Sequence, residues 1–244
     1  MPTPIGGANF QTSSATTSLL FNYYPPTKGN LVVIFLEFSA AITGLTVTDY
    51  FGYTTYIAGP SVNNFYCFYA IVQNSNSYYT QINWTGSAFL GMTIEEYSAV
   101  TSISATVFGT ASGNSGTATI SLTTDGASGN VIVAGFGNSS SNAFTSTVGT
   151  QRQQSTTYTA RAQSVDNSNG SPGSLTCTST LTSSPWDAIA LELVFLIGAV
   201  GGTEGTSRGR GISKGEFDNT TAQPLGNNPA VPIYLPYGQT WPRG

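Results

Sequence analysis

Residues 29–38, GNLVVIFLEF, return one hundred positions later as residues 129–138, GNVIVAGFGN. Each opens on Gly-Asn and runs on through apolar residues with no polar alternation over most of its length. That is the pattern of a strand buried on both faces, at the centre of a wide sheet. Its recurrence implies that the chain is built from two related halves.

A second pair of segments extends the repeat. WTGSAFLGMTIEEY, residues 84–97, aligns with LTSSPWDAIALELV, residues 181–194, at an offset of 97. In that alignment Met92 and Ile94 correspond to Ile189 and Leu191, Phe89 to Trp186, and Glu95 to Glu192. Side chains alternate across a strand, so Ile189, Leu191, Leu193, Phe195 and Ile197 share one face and Trp186, Ala188, Ala190, Glu192 and Val194 the other. The first is the expected core face.

Around these segments, short runs rich in Val, Ile, Thr, Tyr and Phe recur between Gly, Asn and Ser clusters, among them Thr17–Tyr24, Phe65–Val72, Tyr78–Trp84, Thr117–Leu122 and Thr156–Ala162. No segment carries a sustained helical stripe. The expected fold is all-β, an antiparallel β-sandwich of jelly-roll or immunoglobulin-like type built by internal duplication. Residues 1–14 are expected as an N-terminal arm, 15–200 as the duplicated sandwich with halves 15–108 and 109–200, and 201–244 as an extended C-terminal arm. The halves either close separately or interleave into one larger sandwich. Apolar residues on both faces of Asn30–Phe38 and Trp186–Ile197 favour the single sandwich.

Composition narrows the chemistry. Only 7% of residues are charged, against roughly 25% in ordinary soluble domains, so the polar surface comes from Ser, Thr, Asn, Gln and Tyr. The chain has no histidine, which removes the commonest general base and metal ligand. Glu95 and Glu96 are adjacent, but neighbours on a strand point to opposite faces and cannot act as an acid–base pair. Walker, HExxH and CxxC elements do not occur. No catalytic residue, metal ligand or cofactor is assigned, and the expected function is not enzymatic. Cys67 and Cys177 lie within strand-like runs and read as small buried hydrophobes, with a disulfide between them left open.

The net charge of −4 argues against nucleic acid as a partner. The longest apolar run, Ala188–Val200, is interrupted by Glu192 and Gly198 and is too short to span a bilayer as a helix. The first residues lack the basic and apolar regions of a secretory signal, so a soluble product made in the cytoplasm is expected.

Residues 1–201 carry eight acids and three bases, whereas the last 43 residues carry Arg208, Arg210, Lys214 and Arg243 against three acids. Beyond the basic Gly-rich stretch, prolines at 224, 229, 232, 236 and 242 favour an extended path. Between them Ile233, Tyr234, Leu235, Tyr237 and Trp241 are the kind of anchors that dominate interfaces. The expected partner-binding residues are therefore Arg208, Arg210, Lys214, Ile233, Tyr234, Leu235, Tyr237 and Trp241. A second candidate surface is an aromatic platform for a glycan within Asn64–Ala70, with Tyr78, Tyr79 and Trp84, although alternation turns about half of those rings inward.

The opening GNLVV, the segment DYFGYTTY at Asp49–Tyr56 and the EYS at Glu96–Ser98 together resemble a recurrent β-sandwich unit of tailed-phage structural proteins and bacterial surface proteins. The resemblance spans roughly Asn30 to Leu196, with Tyr53 standing where that unit usually has Asn. In DYFGYT, Asp49 is expected to accept hydrogen bonds from following amides and Gly52 to supply a positive φ. The resemblance implies a non-enzymatic sandwich. With the C-terminal arm it leads to the expectation of a tailed-phage virion protein, a capsid decoration or cement protein located in the virion. Its partners would be the major capsid protein, other virion subunits or further copies of itself; a glycan-binding module is the alternative.

Overall fold

The computed structural model describes residues 2–22, 26–75, 79–100, 102–123, 130–167 and 174–194. Among them are β1 (Thr3–Gln11), β2 (Thr16–Asn22), β3 (Leu31–Phe38), β4 (Thr43–Asp49), β5 (Ile57–Val62), β6 (Phe65–Ile71), β7 (Tyr79–Ala88) and β8 (Leu90–Ser98). The second half follows with β9 (Ser102–Thr123), β10 (Val131–Asn138), β11 (Thr145–Val148), β12 (Thr150–Gln154), β13 (Arg161–Asn167) and β14 (Ser174–Val194). The fold is all-β, with antiparallel sheets stacked as in a sandwich.

The two halves have the same topology. In the first, a five-stranded sheet runs β1-β8-β3-β6-β5 and a three-stranded sheet runs β2-β7-β4. In the second, β14 pairs with β9 and β10, β10 with β13, and β13 with β12, which repeats the larger order strand for strand. The long strand β9 does the work of β1 and β2 together, and β14 that of β7 and β8. The short β11 pairs with the early part of β14 as β4 pairs with β7.

The registers correct the alignment of the last strand. Ile34 is opposite Ile94, and Ala134, one hundred residues on, is opposite Ala190. The offset between β8 and the end of β14 is thus 96, so Glu96 corresponds to Glu192 and Glu95 to Leu191. A slip of one residue exchanges the two faces of a strand. The corrected register reveals a repeated bond, Asn30 Nδ2 to Glu96 Oε1 at 2.6 Å and Asn130 Nδ2 to Glu192 Oε1 at 2.7 Å. This is why both repeats open with Gly-Asn: the amide ties the start of β3 or β10 to the strand beside it.

Three apolar clusters explain the doubly buried strands. Val32, Ile34, Leu36 and Phe38 pack with Ile82, Trp84, Met92 and Ile94 inside the first half. Ile132, Ala134 and Phe136 pack with Ile120, Cys177, Trp186 and Ala190 inside the second. Leu31, Val33 and Phe35 meet Val131, Val133, Ile189 and Leu191 in a third cluster between them. No described strand of one half pairs with a strand of the other. The second apolar face of β3 and β10 is therefore the face on which the halves stack, rather than the mark of one interleaved sheet.

The stacking has pseudo-two-fold symmetry: β8 lies near β13 as β14 lies near β6, and β1 near β12 as β9 near β5. Residues 3–11, expected within an arm, form β1 and pair with β8 from Thr3↔Ser98 to Gln11↔Gly91. The expected boundary between 108 and 109 falls inside β9, which continues unbroken across it. In the edge strands, Pro4 adjoins a register shift in β1 and Pro60 sits within one in β5, where a missing N–H breaks no ladder.

Cys67 and Cys177 are both free and buried. They belong to different clusters.

Candidate functional site

The expected partner-binding residues Arg208, Arg210, Lys214, Ile233, Tyr234, Leu235, Tyr237 and Trp241 lie outside the described residues, as does Tyr78. The aromatic platform is mostly interior: Phe65, Phe68 and Trp84 are buried, while Tyr66, Tyr69 and Tyr79 are half-buried. Alternation along β6 and β7 turns the rings into the first-half and inter-half cores.

The aromatic surface lies instead at the turn after β4. Tyr50, Phe51 and Tyr53 are exposed and form one group with Tyr79. Ring centroids are 5.3 Å apart for Tyr50–Phe51, 6.2 Å for Phe51–Tyr53 and 5.8 Å for Phe51–Tyr79. Asp49 holds the turn as expected. Its carboxylate accepts the amides of Phe51 at 3.0 Å, Tyr53 at 3.0 Å and Thr54 at 2.9 Å. Gly52 adopts φ 74°, a conformation that costs glycine little. The rings are thus presented on a loop already ordered, next to a cleft of about 320 Å³ lined by Thr48, Asp49, Thr54, Thr55 and Tyr56.

A second polar locus lies between the halves. Arg152 Nε donates to Asp166 Oδ2 at 2.6 Å, and the buried Tyr97 hydroxyl donates to the same oxygen at 3.2 Å. Ser164 Oγ donates to Glu95 Oε1, and accepts from the Gln153 amide at 3.1 Å. Beside Glu95 a cleft of about 240 Å³ is lined by Pro4, Gly7, Gln151, Arg152 and Gln153. Burial is the main cause that pushes the Glu95 carboxyl up to about 8; Asp166 adds to it, while the Ser164 hydrogen bond and Arg152 oppose it. Burial, with Asp166 and Glu95, also pushes the Tyr97 hydroxyl well above its ordinary range.

The symmetry shows what is special here. The counterparts of Glu95, Tyr97, Ser164 and Asp166 are Leu191, Leu193, Cys67 and Tyr69. At these four positions one side of the inter-half core is apolar and the other is a hydrogen-bonded network. Such a network fixes the register of the two sheets, because any slip leaves a buried charge without its partner. Chemically it offers a carboxyl that exchanges its proton near neutrality, at the wall of a cleft.

Glu96 and Glu192 do not join Glu95. They point away from the inter-half face onto Asn30 and Asn130, as the alternation of Glu95 and Glu96 requires. Sequence patterning missed β13, RAQSVDN, because its buried residues Gln163, Ser164 and Asp166 are polar. The available signal was Asp166 itself, which follows Arg152 and Arg161 in a stretch with few charges. No known protein family, no curated protein and no solved structure matches the chain.

Proposed function

We propose that the chain is a structural protein of a tailed-phage virion, a capsid decoration or cement protein that stabilises the shell by protein–protein contact. The observation that carries this reading is the exposed, braced aromatic group at Tyr50, Phe51, Tyr53 and Tyr79. Aromatic anchors supply much of the energy of protein interfaces. An anchor loop held in advance by Asp49 loses little entropy when it docks. The two stacked halves serve as a rigid platform, and the Pro-spaced strip Val231–Trp241 is the second contact, laid on a neighbouring virion subunit. A protein that binds the assembled shell and not its free subunits stabilises the shell by mass action.

The test is to add the purified chain to capsid shells lacking it, then measure co-sedimentation and the temperature of shell disruption. Full-length protein should bind and raise that temperature. Deleting residues 202–244, or changing Tyr50, Phe51 and Tyr53 to serine, should reduce both. A shell that neither binds the chain nor gains stability would overturn the reading. The threonine-lined cleft beside the rings favours one alternative, a glycan-binding module, for which sugar binding lost in the triple serine variant is the distinguishing result.

A further inference from the structure

A second pair of acids meets between the halves. Glu37, near the end of β3, points into the inter-half core, is fully buried, and receives no hydrogen bond at either carboxyl oxygen from the described residues. Its carboxyl group fills the space over Gly137, where any Cβ would collide with Oε2. Gly137 is directly opposite Asp187 in the β10–β14 ladder, and directly opposed residues carry their side chains on the same face of a sheet. One carboxyl from each half is thus brought to one place above β10.

Asp187 also forms part of the wall of an open cleft of about 500 Å³, with Asn63, Asn64, Ser139, Pro185 and Trp186. Asn63 Nδ2 donates to Asp187 Oδ1 at 2.6 Å and carries the β5–β6 turn of the first half to the site. Among the described residues the only ion pair is Arg152–Asp166, so neither Glu37 nor Asp187 has a basic partner there. Burial, and then the charge of Asp187, push the Glu37 carboxyl well above the usual carboxylate range; burial raises Asp187 too, against the Asn63 hydrogen bond.

Burial alone favours the neutral acids, and a cation set between the two carboxylates would supply the counter-charge that lets both ionise. The donors here are hard oxygens, with no thiolate or imidazole, which selects a calcium-type ion over a transition metal. Glu37 can offer both oxygens. Asp187, at the wall of the cleft, is where water can help complete the six to eight ligands of calcium.

We propose that Glu37 and Asp187 together bind a divalent cation, calcium by the chemistry of its donors, which ties the two halves to each other. With two carboxylates the site belongs to the weak class of calcium sites, with Kd on the order of 10⁻⁴–10⁻³ M.

The full-length protein, freed of metal by chelator, is titrated with terbium under excitation of tryptophan, since Trp186 lines the same cleft. Sensitised luminescence that excess calcium displaces is expected, together with a melting temperature that rises with millimolar calcium and less with magnesium. Glu37→Gln and Asp187→Asn should each weaken binding at least tenfold while unfolding stays cooperative. Asp187→Asn lies at the cleft wall and provides the test if Glu37→Gln does not fold. Absence of any calcium response in the wild type would overturn the proposal, as would a response that both substitutions leave intact. A wild type insensitive to calcium, whose stabilisation by acid is reduced by Glu37→Gln, would show that the pair shares a proton instead, and would also overturn it.

Discussion

The ring of Phe35 lies against Gly135, its own counterpart one hundred residues on, in the space a side chain at 135 would occupy. Near a pseudo-two-fold axis a residue meets its duplicate, and two large side chains cannot fill the same volume. The halves have diverged into a bulky member and a glycine at this place, and again at Glu37 and Gly137.

Gly135→Ala should therefore force the sheets apart and cost about 1–3 kcal/mol, the usual range for overpacking. Phe35→Leu in the same chain should recover part of the loss, so that a double-mutant cycle by urea unfolding shows coupling. Strictly additive losses would argue against the contact.

Stability should depend on pH through Glu95. Its folded carboxyl titrates near 8, above the roughly 4.3 of an unfolded glutamate. Between those values the folded state holds a proton that the unfolded state has released, so stability falls as pH rises from about 4 to 8 and then levels. The groups around Glu95 are Ser164, Asp166, Arg152 and Tyr97. Glu95→Gln, which keeps the shape of the neutral acid, should flatten the slope of melting temperature against pH and be more stable than wild type at pH above about 8. An unchanged slope would exclude Glu95 as its source.

The repeated amide–carboxylate bonds make a paired prediction. Asn30→Ala and Asn130→Ala should each cost about 1–3 kcal/mol, as expected when a buried carboxylate loses a donor. Denaturant midpoints measure both, and a change below about 0.5 kcal/mol would be that of an ordinary surface position.

Asp49→Ala removes the acceptor of three amides at once. Hydrogen exchange at Phe51, Tyr53 and Thr54 should accelerate, while exchange in β3 and β8 should stay slow, because the turn opens locally. If exchange at those three amides did not change, the carboxylate would not be what orders the aromatic loop.

The strands that went unrecognised have physical reasons. β1, TPIGGANFQ, is an edge strand with two glycines and only partly buried side chains, so it lacks the strong alternation of an inner strand. β13 is buried but carries Gln163, Ser164 and Asp166 in its core positions, and polar residues there read as turn. The alignment of the last strand went wrong by one residue because Glu95-Glu96 offers two acids to match with Glu192. Only the ladder, Val32↔Glu96 and Ile132↔Glu192, distinguishes them.

By itself the sequence determined the strand class, the duplication and the Asp49 turn, since each depends on residues close along the chain or on direct repetition. Tertiary structure decided that the halves stack back to back, that a glycine in one receives a side chain from the other, and that Glu95 meets Ser164 while Glu37 meets Asp187. Those contacts join residues far apart in sequence, and their physical content is the desolvation and crowding of groups whose neighbours only the fold supplies.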